Sequence, residues 1–183
     1  MRTVTAYATA GPNVAFEKTT IERRDLGPND VSVAIAFAGI CHSDIHTARG
    51  EWGDTTYPLV PGHEIAGIVD AVGSEVTRFA VGDRVGVGVM VNSCRVCNAC
   101  DTGREQYCEN GFVETYGAVD RDGPLTQGGY PTHVGCDADY VLRLPAATRL
   151  DTPPPPLCPG PPPYPPPLAF AAAPGPPLAV PRR

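Results

Sequence analysis

The chain has 183 residues, 42% of them hydrophobic and 19% charged, with a formal net charge of −6. Acids outnumber bases and no basic run occurs, which argues against nucleic acid or an anionic membrane as partner. Of the 22 prolines, 15 lie at or beyond position 153. Residues 1–150 can therefore bury a single-domain core, whereas residues 151–183 cannot, because proline lacks a backbone donor and is barred from helix interiors and central strands.

The N-terminus, Met1-Arg2-Thr3-Val4-Thr5, has no apolar region of the kind a secretory signal carries. The longest apolar run, Val31 to Ile40, is interrupted by Ser32 and Gly39 and is too short to cross a bilayer. A cytoplasmic chain is expected, in which seven cysteines read as metal-binding or catalytic thiols before disulfides.

After the turn signal Gly27-Pro28-Asn29-Asp30, the alternation in Val31–Phe37 predicts a strand. Cys41 to Ala48 predicts a short turn of helix, and Ile65–Val72 a second strand ending at Gly73-Ser74. Val81–Val89 reads as a turn followed by a glycine-containing strand, and Val141–Leu144 as a closing strand before Pro145. Short strands with glycine punctuation and weak helical periodicity predict a mainly β fold built as a small barrel. From Asp151 onward the composition is that of polyproline II or disorder, and its P-x-x-P matches are of the kind that any proline-dense run produces.

Two constellations carry chemistry. Cys94-x2-Cys97-x2-Cys100-x7-Cys108 can wrap one tetrahedral zinc. With four sulfur ligands no position is left for water or substrate, so such a site is structural, and metal binding becomes folding energy for residues 91–111. The alternatives, a disulfide pair or free thiols, suit the compact spacing less well. The second set is Cys41-His42-Ser43-Asp44-Ile45-His46 with Gly62-His63-Glu64, which Cys158 can complete. Two thiolates and an imidazole leave a fourth position open, as a catalytic zinc requires. Singly, Cys41 reads equally as a core residue and His63 as a structural histidine.

Gly62-His63-Glu64-x2-Gly67-x5-Gly73-x2-Val76 resembles the signature of the zinc-containing alcohol dehydrogenases, and the four-cysteine spacing resembles that family's structural-zinc lobe. Gly39-Ile-Cys-His-Ser-Asp-Ile-His46 and Tyr57-Pro-Leu-Val-Pro-Gly-His63 are similar to the cinnamyl alcohol dehydrogenase branch. The resemblance covers residues 1 to about 150 and implies a GroES-like β-barrel catalytic domain, normally followed by a Rossmann domain. It implies two zincs, NADP, and small alcohol or aldehyde substrates, with homo-oligomers among full-length relatives. Position by position, it implies Cys41, His63 and Cys158 as catalytic-zinc ligands and Glu64 as the carboxylate beside the metal. Cys94, Cys97, Cys100 and Cys108 become structural-zinc ligands. Ser43 and His46 become members of a proton relay and His42 a residue near the cofactor phosphates. Trp52 is a weaker candidate for the substrate pocket; His133 and Cys136 match no motif and read as structural.

The tail departs from this pattern. Leu157-Cys158, Gly160, Tyr164, Pro174-Gly175 and Ala179-Val180 keep the family's register, but prolines fill positions between them that are usually Ala, Thr, Ser, Leu or Lys. That is the pattern of a degraded coding region rather than an evolved proline-rich module. Prolines 159 and 161–163 break the helix that starts near Cys158 in the family. No G-x-G-x-x-G loop occurs in the 183 residues. The expected organisation is a zinc-binding domain at 1–150 and a proline-rich, disordered, truncated tail at 151–183. Two functions follow: an alcohol dehydrogenase by family, or a zinc-binding barrel without turnover. A proline-rich ligand on a metal-stabilised module is a third.

Overall fold

The computed structural model describes residues 1–121, 123–152 and 157–158. Of the proline-rich tail, only Asp151, Thr152, Leu157 and Cys158 fall within that range, and its predicted disorder lies outside the described residues. Strand β1 (Arg2–Ala8) pairs antiparallel with β2 (Glu17–Arg23) in an N-terminal hairpin. Its period-2 pattern turns Val4 and Ala6 inward and Thr3 and Tyr7 outward.

The main sheet has five antiparallel strands in the order β8-β3-β4-β5-β9. These are β3 (Asp30–Ala38), β4 (Ile65–Val72), β5 (Arg84–Val87), β8 (His133–Asp137) and β9 (Val141–Arg143). Their inner faces carry Val31, Val33, Ile65, Val85 and Val87, all at 0% exposure. Each contributes about 1.5–3 kcal/mol relative to an exposed position. The hairpin docks through Arg23, whose buried guanidinium donates to the carbonyls of His133 (3.1 Å), Gln127 (2.7 Å) and Gly128 (2.9 Å). Burial lowers its pKa to about 10.

The mainly β architecture agrees with the sequence reading. Ile65–Val72 coincides with β4, and the strand expected at Val31–Phe37 gains one residue at each end. The expected Val81–Val89 stretch is a turn through Asp83 followed by the shorter β5. The hairpin, β8, and the pair β6 (Met90–Asn92) and β7 (Val113–Glu114) were not foreseen.

The pairing of β3 with β4 positions the site. Ala38 lies opposite Ile65, so the residues just beyond the end of β3 face those just before the start of β4. Beyond β3 the chain passes through Gly39 and Ile40 to Cys41, which caps helix α1 (His42–Ala48). Ahead of β4 stand Gly62, His63 and Glu64. Gly67 sits where β4 presses on β3: a methyl group there would lie 2.7 Å from Val33 Cγ1 and collide with the Ala34 carbonyl.

Candidate metal centre and active site

Cys41, His63, Glu64 and Cys158 come together so that their ligand atoms all lie within 4.8 Å of one another. The sulfurs of Cys41 and Cys158 are 3.7 Å apart. The His63 ring is held by Asp44, whose Oδ1 lies 3.1 Å from Nδ1. That leaves Nε2 buried and, among the described residues, without a hydrogen-bond partner, a cost that a metal ion would remove. All seven cysteines are free thiols.

The electrostatics point the same way. Burial works against the Cys41 thiolate, yet hydrogen bonding to Ser43 and its neighbours holds it below the ordinary value. Burial and the adjacent Cys41 push Cys158 up to about 12, and burial raises Glu64. Two thiols and a carboxyl this close cannot all ionise without a cation between them. The donor set therefore fits zinc, with two sulfurs and one nitrogen binding and Glu64 beside them.

Asp44 is the residue that the sequence reading passed over. It is 2% exposed and lies at the third position of α1, where its carboxylate accepts from the backbone N–H of the cap residue Cys41 at 2.8 Å. It also accepts from the Gly62 N–H (3.1 Å) and the Tyr130 hydroxyl (3.5 Å). Burial disfavours its charge, but the bonds to His63 and to the Cys41 N–H outweigh burial and lower its pKa, and Asp44 in turn raises His63 against the effect of burial. The legible signal was a capping-box spacing, an acid three residues after the cap. Gly62 adopts φ +105°, a region where side chains are strained, which turns the chain so that the next residue faces inward.

A cavity of about 280 Å³ opens beside the cluster, lined by Ser43, Thr47, Trp52, His63, Tyr116 and Cys158 among others. Ser43 thus reaches the cavity, and Trp52, though 64% exposed, forms part of its wall. His46 does not line it; it stacks between His42 (5.0 Å) and Trp52 (5.1 Å) and pairs through Nδ1 with Glu51. His42 is exposed on the outer side of this stack. His133 and Cys136 lie in β8, away from both clusters, and burial pushes Cys136 up to about 12.

The second cluster, Cys94, Cys97, Cys100 and Cys108, lies in the excursion between β6 and β7. Cys97 and Cys100 sulfurs are 3.5 Å apart and those of Cys94 and Cys100 3.8 Å. The N–H groups of Cys94 and Glu109 donate to Cys108 and Cys97 sulfurs at 3.4 and 3.5 Å. The Asn110 side chain and the Val96 N–H pull Cys94 down to about 6. Although the Ser93 hydroxyl favours its thiolate, burial and Cys97 push Cys100 up to about 11. Four sulfur donors converge and no carboxylate is grouped with them, as a closed zinc site requires.

Residues 27–146 match the family described as the alcohol dehydrogenase GroES-like domain. The chain belongs to this family. It is 57% identical over 160 residues to the NADP-dependent alcohol dehydrogenase C of Mycobacterium bovis, covering 87% of this chain and 46% of that protein. To the NADP-dependent alcohol dehydrogenase C 1 of Mycolicibacterium smegmatis it is 55% identical over 181 residues. That alignment takes in 98% of this chain and 52% of the relative, and so runs on into the proline-rich segment. Among solved structures, a cinnamyl alcohol dehydrogenase from Sorghum bicolor superposes with a TM-score of 0.88 at 39% identity, over 93% of this chain and 49% of that one. The chain thus spans about half the length of these relatives.

Proposed function

We propose that this chain supplies the metal-binding half of a zinc-dependent alcohol dehydrogenase, which moves hydride reversibly between a small alcohol or aldehyde and NADP. The observation that carries this reading is the meeting of Cys41, His63 and Cys158 around an unpartnered His63 Nε2, beside a cavity that Ser43 lines. Zinc held there would supply Lewis acidity, lowering the pKa of an alcohol in the cavity.

The chain's own residues do the rest. Asp44 fixes the His63 ring by holding Nδ1–H, so that Nε2 faces the cluster. Glu64 would stand beside a bound zinc as a further carboxylate donor. Thr47, Trp52 and Tyr116 bound the space open to the substrate. The Ser43 hydroxyl takes the alcohol proton, and His46, anchored on Glu51 near solvent, passes it out. No hydrogen bond joins Ser43 to His46 among the described residues, so the relay calls for a bridging hydroxyl or water. His42, at the exposed end of the ring stack, would meet a cofactor phosphate. Cys94, Cys97, Cys100 and Cys108 would hold a structural zinc.

No helix among the described residues is long and apolar enough to cross a membrane, and seven free thiols suit a reducing, cytoplasmic compartment. A second reading is a zinc-binding barrel without turnover. One pair of measurements separates the two: zinc content of the purified chain and NADPH-dependent aldehyde reduction. Turnover abolished by Cys41→Ser supports the first reading. Two zincs with no turnover, measured with the chain joined to the half of a relative that it does not span, overturns it in favour of the second.

A further inference from the structure

Cys158 joins the cluster from beyond β9, the last strand among the described residues. Leu157 is 5% exposed, although Cys158 beside it is only partly buried. The Leu157 side chain lies over β5 at a place where two glycines leave a notch. A methyl group on Gly86 would lie 2.8 and 2.9 Å from Leu157 Cδ2 and Cδ1, and one on Gly88 3.1 Å from the Leu157 carbonyl oxygen. Neither glycine adopts a positive φ among the described residues, so what they contribute here is empty space.

The notch is also in register with the other ligands. Gly86 pairs with Ala66 on β4 and with Leu142 on β9, and Val87 pairs with Ile65. Ile65 stands two residues after His63, and its carbonyl oxygen lies 3.2 Å from the same methyl position on Gly86. A side chain seated on Gly86 is therefore referenced through one strand pairing to the strand that carries His63 and Glu64.

We propose that Leu157 is a positioning residue: it plugs the Gly86–Gly88 notch and thereby sets Cys158 at binding distance from Cys41 and His63. This rests on the zinc reading of the cluster. It assigns the placement of the third ligand to one apolar contact at β5.

The test uses the full chain and reads metal and thiol state, not turnover. Zinc affinity is measured by chelator competition, and iodoacetamide labelling is resolved by peptide for each cysteine in the presence of zinc. Leu157→Ala empties the notch, Gly86→Ala fills it, and Leu157→Met keeps the plug. In the first two, affinity at the Cys41 cluster should fall about tenfold or more, the range found when a residue supporting a metal ligand is lost. Cys158 labelling should rise in step, while Cys94, Cys97, Cys100 and Cys108 stay protected and Cys136 stays unreactive. Leu157→Met should behave as wild type. Should Leu157→Ala expose Cys136 and so report general unfolding, Leu157→Val, which only shortens the plug, carries the same expectation at smaller size. Wild-type affinity with Cys158 protected in both the Gly86→Ala and Leu157 variants overturns the proposal and leaves the zinc reading intact. A wild-type chain whose zinc content is unchanged by Cys41→Ser and Cys158→Ser overturns both.

Discussion

Replacing Asp44 tests how far one buried carboxylate holds the site together. Asp44→Ala removes the acceptor for the Cys41 N–H (2.8 Å), the Gly62 N–H (3.1 Å) and His63 Nδ1 (3.1 Å), all at a residue 2% exposed. A buried donor left unpaired costs about 1–3 kcal/mol, so three of them set a lower bound of about 3 kcal/mol. For a domain of about 150 residues, that lowers Tm by about 6–12 °C. Asp44→Asn keeps one acceptor oxygen but turns an NH2 toward a donor, and about half that loss is expected. Both variants free the His63 ring to rotate, so zinc affinity at this cluster should fall about 10- to 100-fold. Circular dichroism melting in chelator gives the stability change without metal, and competition with a chromophoric chelator gives the affinity. Asp44→Ala melting within 2 °C of wild type and binding two zincs with unchanged affinity would refute this account of Asp44.

Three other outcomes are expected. Cys100→Ser should remove one zinc and expose residues 91–111 to proteolysis while leaving the β-sheet circular dichroism and the Cys41 cluster's zinc in place; loss of both metals would show the two sites to be coupled. Burial and the neighbouring Arg2 cation hold His133 below its ordinary pKa, against the pull of Asp70. Its neutral form is the one the fold prefers, so its contribution is complete above the unfolded value near 6.5 and is lost as pH falls through the folded value. The urea midpoint should accordingly drop more between pH 7.5 and 5.5 in wild type than in His133→Gln, and equal slopes would contradict this. Gly67→Ala should destabilise by about 1–3 kcal/mol through overpacking against Val33 and Ala34; an unchanged urea midpoint would mean that β3 yields where the structure shows no room.

What the sequence made legible follows from where alternation and spacing suffice. β4 reads cleanly because Ile65–Val72 is apolar but for Asp70 and is bounded by Gly62 and Gly73. The four-cysteine lobe reads cleanly because its ligands are local. β3 is less regular than its sequence suggests: register shifts at Ser32/Val33 and Ile35/Phe37 break the period, so Val31, Ser32 and Val33 are all buried while Phe37 is 47% exposed. β8 escaped notice because His133, Gly135 and Cys136 lack a strand's usual composition; pairing with β3 and the bonds from Arg23 hold it instead. Within the site, Cys41 and His63 were marked by motif, but Asp44 reads as an ordinary helix acid until the fold brings Gly62 and His63 onto it. The seating of Leu157 on Gly86 joins positions far apart in sequence, and no local pattern announces it.

The zinc-cysteine excursion leaves the barrel at β6 and returns at β7, and Met90 pairs directly with Glu114. Its two ends are thus neighbours on a ladder, about 5 Å apart as paired strands are. The barrel's connectivity does not pass through the lobe; a tight hairpin turn of two to five residues could join β6 to β7 in its place. The lobe is in this sense a detachable cassette. It could be exchanged for another loop, or grafted between paired strands of a different scaffold, provided that its ties to the barrel, among them the ion pairs from Arg95 to Asp137 and Asp139 and the bonds from Arg121 to the Asn110 and Gly111 carbonyls, are given up or rebuilt.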